Sequence, residues 1–284
     1  MDERSDHGAP SQPVVVRLVS ASSRGDSLAT VRVQLGKAAD ALGVRASAVR
    51  ARELAIGLLT GGHANADLRR NSRDDFHLKL LLRFGLRPTS NYLDVGANQG
   101  HFLKGIQALA PLGHHIAYEP LPHLCVKLSQ QFPGVEVRQA ALSDREGEAP
   151  FIHVLGAGNQ GFSNLVDGGL KRPAYRRELP TETIMVRTER LDDHVPEGWL
   201  PHVVKIDVEG AERLVIKGAL ETIRRAKPVI AFEHQWDPGG SEEMYDLICT
   251  DLGLRLFDMD GHGPLSRSEF FDGLRSRWNW VAHE

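Results

Sequence analysis

Residues 92–103 read YLDVGANQGHFL. An apolar run carries Asp94 near its tip, and Gly96 and Gly100 follow with Asn98 between them. Tyr92, Leu93 and Val95 are strand formers. Gly96 and Gly100 permit positive φ and let another group approach the backbone closely. From His101 onward Phe102, Ile106 and Leu109 fall on one helical face. A strand–turn–helix junction of this kind presents backbone N–H groups at the C-terminal end of a strand, where open α/β sheets bind ligands. The glycines are spaced G-x-x-x-G. The dinucleotide fingerprint needs G-x-G-x-x-G and the P-loop needs G-x-x-x-x-G-K-[ST], so the junction points to a nucleotide-like ligand without a pyrophosphate.

The 284 residues suit one large domain, or one domain with an appendage. The composition, 41% hydrophobic and 25% charged, is that of a globular protein. A net charge of -3 argues against a bulk nucleic-acid binder, and no nucleic-acid partner is expected. Cys125 and Cys249 form neither a disulfide framework nor a CxxC metal pair, and both sit on apolar helical stripes as core thiols. The N-terminal MDERSDHGAPSQP has no apolar signal core, and no apolar run approaches the roughly 18 residues of a membrane span. A cytoplasmic protein is expected.

The organisation reads outward from this junction. Residues 1–28 are polar, with scattered Pro, Ser and Gly, and predict a flexible N-terminus. Residues 29–74 predict a helical extension, with helix formers over 29–60; a second helix, DDFHLKLLLRF, follows and ends at Gly85. Residues 75–284 alternate strands with helices. Strand 91–95 precedes helix 99–110; HIAYE (115–119), VEVRQAAL (135–142), HVVKID (202–207) and PVIAFEH (228–234) are further strands, and LRLFDMD and WNWVAH close the chain. Alternation of this type predicts a mostly parallel sheet with helices on both faces, and the last two strands suggest a closing antiparallel hairpin. Between the strands 135–142 and 202–207, EAPFIHVL and ETIMVRTE predict an inserted hairpin within 145–190. Its glycine- and asparagine-rich connection predicts a lid near the mouth of the site.

Glu119 ends the second strand about 20 residues after the glycine turn, the position from which an acid reaches a ribose in a doubly wound fold. LDVGANQGHF, AYEP, QAALSD, KIDVEGAE and PVIAFE, in this order, resemble the FkbM family of methyltransferases over roughly residues 75–284. The resemblance implies a class I, Rossmann-like, seven-stranded sheet and S-adenosylmethionine as cofactor. It also implies O-methylation of a small-molecule or glycan acceptor such as a sugar, glycolipid or natural product. By motif, Asp94, Gly96, Asn98 and Gly100 would line the methionine side and Glu119 would hold the ribose, with Ala140, Ala141 and Asp144 beside the adenine. Many class I enzymes carry an acid where Ala140 falls. Two other classes compete: an NAD(P)-dependent reductase on the same scaffold, and a non-catalytic cofactor-binding scaffold protein.

Methyl transfer to oxygen needs alignment and removal of a proton. Asp207 ends the fourth strand at the mouth; Glu209 and Glu212 follow, and Glu233 and His234 end the fifth. Asp207 or His234 could act as base, or Asp207 and Glu233 could hold Mg²⁺. Glu209 and Glu212 also read as helix N-terminal acids favoured by the dipole. The stretch IDVEG lacks the (Asn/Asp)-Pro-Pro-aromatic turn of base N-methylation. The N-terminal helices would cover the acceptor pocket or pair two subunits as a homodimer.

Overall fold

The computed structural model describes residues 63–155, 160–166, 179–237 and 239–284. The expected flexible stretch 1–28, the helix formers of 29–60 and most of the glycine-rich lid lie outside these residues. Helix α1, His63–Gly85, belongs with residues 259–262 to one compact unit; residues 86–258 and 263–284 form the other. Among the described residues no helix is long and apolar enough to cross a membrane.

The larger unit is built on a seven-stranded sheet. Its strands are β1 Tyr92–Val95, β2 His115–Tyr118, β3 Val135–Arg138, β8 Val203–Ile206, β9 Val229–Glu233, β10 Arg255–Asp258 and β11 Asn279–His283. Across the sheet they run β3-β2-β1-β8-β9-β11-β10. The pairs β1–β2, β2–β3, β1–β8 and β8–β9 are parallel, and β11 is antiparallel to both its neighbours. The last two strands pair antiparallel at the edge of the sheet, as the sequence suggests, with β11 against β9 and β10 outermost. β1, β2 and β8 are buried along their whole length, as strands covered on both faces must be. One apolar core runs under them through Leu93, Val95, Ile116, Val204, Ile206 and Ile230.

Helices α2 Leu103–Leu109, α3 Pro122–Gln131, α5 Glu212–Lys217, α6 Leu220–Ala226, α7 Gly240–Tyr245 and α8 Arg267–Gly273 accompany the strands, with the short α4, Leu191–His194, after the insert. The helix expected from residue 99 begins at Leu103, because residues 97–103 close as tight turns, with Gly100 N–H on Ala97 O and Leu103 N–H on Gly100 O. The helix expected after β8 is divided into α5 and α6. It breaks at Gly218, where an added Cβ would lie 1.9 Å from the Ser143 carbonyl oxygen, so the chain must pass this point without a side chain.

The inserted hairpin is part of a second sheet of order β4-β7-β5-β6: β4 Ala141–Leu142, β5 Gly147–Val154, β6 Asn164–Leu165 and β7 Thr181–Glu189. The single strand expected over 135–142 is therefore two. After β3 the Ala140 N–H bonds back to Arg138 O at 3.1 Å, and this tight turn sends β4 into the second sheet. Ala149, Phe151, Leu165 and Val186 of that sheet pack with Leu121, Leu124 and Ala211 in an apolar cluster of their own.

Candidate functional site

Strand order reverses between β1 and β8, so the loops leaving their C-terminal ends part and open a crevice. Its walls are Gly96 and Asn98 after β1, Tyr118 and Glu119 at the end of β2, and Asp207 and Val208 after β8. Ala140, Ala141 and Leu142 form the far flank, and Phe151 and Leu165 of the second sheet cover it. The flank toward Asp207 is thus polar and the flank toward β4 apolar.

Gly96 has φ +77°, and a Cβ there would lie 1.9 Å from the Asp207 carbonyl oxygen. The two loops pass so closely that only glycine fits. Gly100, at φ +74°, stands off the cleft: a Cβ there would meet the Phe132 ring at 2.4 Å and Leu128 at 2.8 Å. It is a packing glycine against α3. Asn98 adopts φ +48°, and its N–H donates to Glu119 Oε2 at 2.8 Å, while the Leu121 N–H donates to Glu119 Oε1 at 3.0 Å. Each Glu119 oxygen keeps a further lone pair. Burial pushes this carboxyl up, and the two amide donors oppose the rise. Among the described residues, the buried Asn98 Oδ1 has no hydrogen-bond partner.

Asp94, expected on the cleft wall, lies beneath it, 1% exposed. Its register partner across the sheet is Lys205, whose Nζ stands 3.5 Å from Asp94 Oδ1 and 3.3 Å from Asp207 Oδ2. Burial raises the Asp94 pKa and the Lys205 ammonium works against it; for Lys205 the two carboxylates overcome burial and raise its own. Lys205 went unnoticed in the sequence, although a lone charge inside the apolar run VVKI was its signal. Phe151 and Leu165 were likewise missed, since alternation marks a strand without saying what its inward face covers. Asp144 sits beside Ser143, its Oδ1 3.3 Å from Ser143 Oγ, outside the residues that line the cleft.

Next to the cleft a smaller cavity is lined by Glu209, Glu212, Glu233, His234, Gln235 and Asp237. One carboxylate oxygen each of Asp207, Glu209 and Glu233 lies within 4.8 Å of the others. Glu209 is held at φ +54°, and Glu212 Oε1 accepts from the N–H groups of Val208 (3.3 Å) and Gly210 (3.0 Å), clamping that turn. Burial pushes the Glu212 carboxyl up to about 8. His234, a candidate base, is buried. Its Nε2 is 3.0 Å from Ser241 Oγ, its ring stacks on Phe270, and burial, assisted by Arg213, lowers its pKa to about 4. Cys125 is buried with its thiol on Glu119 O and pushed up to about 12, chiefly by burial.

The model of the FkbM methyltransferase domain matches residues 94–256. The chain belongs to the FkbM methyltransferase family. Membership implies S-adenosylmethionine, and the cleft fits that group. Glu119 has acceptor capacity left for ribose hydroxyls, and Asn98 carries a buried oxygen that no described residue partners. Among curated relatives, this FkbM chain is 28% identical over 151 residues to the 2-O-methyltransferase NoeI of Sinorhizobium fredii, covering 50% of this chain and 62% of that protein. It is 30% identical over 240 residues to the AMB antimetabolite synthetase AmbE of Pseudomonas aeruginosa, covering 71% of this chain and 11% of that protein. The chain therefore spans less than two thirds of the length of either relative. The FkbM methyltransferase structure from Methylobacillus flagellatus KT is 16% identical, with a TM-score of 0.43 over 70% of this chain and 44% of that one.

Proposed function

We propose that this FkbM chain transfers a methyl group from S-adenosylmethionine to a hydroxyl oxygen of a sugar, glycolipid or other natural product. The observation that carries the reading is the meeting, at the strand-order reversal, of Glu119, the Asn98 turn and Asp207 on one cleft. The donor supplies a methyl group already activated on a sulfonium. Glu119 receives the ribose hydroxyls, Gly96 and Asn98 border the methionine part, and Ala140, Ala141, Leu142 and Phe151 border the adenine. Asp94 acts from below through Lys205, and Gly100 and Asp144 support the loops.

Asp207 is the proton acceptor. It is 42% exposed at the mouth, and Lys205 holds its Oδ2. His234 serves packing in this reading, because its ring nitrogen is engaged and its proton affinity is low. A positioned base of this type contributes about a hundred- to ten-thousand-fold. Oxygen as the acceptor atom is supported by the relative NoeI, a 2-O-methyltransferase. A second reading has its own observation: the convergence of Asp207, Glu209 and Glu233 would suit Mg²⁺, which takes oxygen ligands and acidifies a hydroxyl.

Labelled S-adenosylmethionine is incubated with the chain and a metabolite extract of the source cells, with and without EDTA, and products are read by mass spectrometry. Label on an oxygen of a hydroxylated product supports O-methylation. Label only on nitrogen or carbon contradicts it. Loss of transfer in EDTA that Mg²⁺ restores selects the metal reading.

A further inference from the structure

Asp94, Lys205 and Asp207 form a charged row on one side of the sheet. Asp94 and Lys205 are register partners on adjacent strands, and Asp207 follows Lys205 by two residues, so all three side chains project to the same face. Lys205 Nζ lies 3.5 Å from one carboxylate and 3.3 Å from the other, and 3.4 Å from the Gly96 carbonyl oxygen. Asp94 is 1% and Lys205 8% exposed, so solvent screens them little. Tyr92 shares this face and is fully buried; burial, followed by Asp94 and Asp207, raises its pKa, so it stays neutral and adds no charge. The row's two carboxylates and one ammonium leave it one net negative charge, which meets the polar flank of the cleft through Asp207, where one carboxylate oxygen each of Glu209 and Glu233 lies within 4.8 Å.

We propose that this row is a charge filter that sets how strongly the cleft discriminates the cationic donor from its neutral product. The inference rests on the donor reading given above. S-adenosylmethionine and S-adenosylhomocysteine differ by a methyl group and by the positive charge on sulfur. Adenine, ribose and amino-acid contacts are common to both, so the hydrogen bonds of Glu119 and Asn98 do not separate them. A net negative charge near the sulfur does, because it attracts one and is indifferent to the other. Lys205 limits the effect: without it both carboxylates would hold the donor, and with it one charge is cancelled and Asp207 is held in place. A unit charge several ångströms away at the edge of a half-exposed cleft is worth on the order of tenfold in affinity.

Titration calorimetry on the full chain with S-adenosylmethionine and with S-adenosylhomocysteine tests this without turnover. In Asp207→Asn the ratio of donor to product affinity is expected to fall on the order of tenfold, through the donor, while product affinity holds and reports an intact cleft. Asp207→Glu, which keeps the charge, restores the ratio. Asp94→Asn moves it in the same direction as Asp207→Asn; should that buried variant fail to fold, the exposed Asp207 pair of variants decides. Both ligands binding Asp207→Asn with the wild-type ratio overturns the filter and leaves the donor reading standing. A wild-type chain that binds neither ligand overturns the donor reading itself.

Discussion

Asp207 stands at the tip of β8 with Oδ2 on Lys205 and much of its side chain open to the cleft mouth. Asp207→Asn keeps the shape and removes the proposed proton acceptor. At saturating donor its turnover should fall at least about a hundredfold. Rapid-quench measurement of methyl transfer checks this, and ordinary turnover would leave positioning alone as the source of catalysis. At the residue scale the sequence was uneven. Asp207 and Glu119 were legible because strand ends at the order reversal line the crevice. His234 also ends a strand, yet it is covered by Phe270 and Ser241, and nothing in PVIAFEH discloses residues that arrive from 241 and 270. Asp94 and Lys205 are neighbours only because β1 and β8 lie side by side, a pairing between residues more than a hundred apart in sequence.

At the scale of elements, the loops after β1 and β8 are fitted to one another. Gly96→Ala places a methyl group against the Asp207 carbonyl and also strains a backbone at φ +77°. The variant should lose donor binding and melt several degrees lower, as expected for about 1–3 kcal/mol of strain; wild-type melting and affinity would show that the two loops separate freely. The turn after β8 gives a pH signature. Glu212 rises from 4.5 to about 8 on burial, so between those values the folded chain binds more protons than the unfolded chain. Its contribution is fully present below pH 4.5 and is lost as pH rises through about 8. His234 works in the opposite sense: lowered from 6.5 to about 4, it contributes stability that is present above 6.5 and lost as pH falls toward 4. Glu212→Gln keeps an oxygen for the Val208 and Gly210 amides and cannot ionise. Its melting temperature should therefore fall less than that of the wild type between pH 6 and 9, and parallel curves would contradict the neutral, buried Glu212. The acids of IDVEGAE were legible as a cluster. Their division was not, since the wild-type turn at Glu209 depends on a clamp that no spacing rule reports.

At the scale of the molecule, the alternation of strands and helices was enough to give a mostly parallel sheet, because each apolar strand needs cover on both faces. The order β3-β2-β1-β8-β9-β11-β10 was not legible from alternation. The antiparallel β11 enters between β9 and β10, and β4 leaves the main sheet to found a second one. Both choices are made by long-range pairing. In the insert β5 pairs antiparallel with both β6 and β7, and its covering of the apolar flank by Phe151 and Leu165 follows from where β4 and β7 pair. What the fold delivers among the described residues is a crevice at the strand-order reversal, with Glu119, the proposed ribose acid, at the end of β2. Calorimetric titration of S-adenosylmethionine into the wild-type chain and into Glu119→Gln tests that claim most directly. Saturable binding is expected in the wild type, with no binding of NAD(P). Affinity should fall by about 1.5–3 kcal/mol in the variant, the range for hydrogen bonds to a charged group. Absence of binding in the wild type, or the same affinity in a folded Glu119→Gln chain, would contradict it.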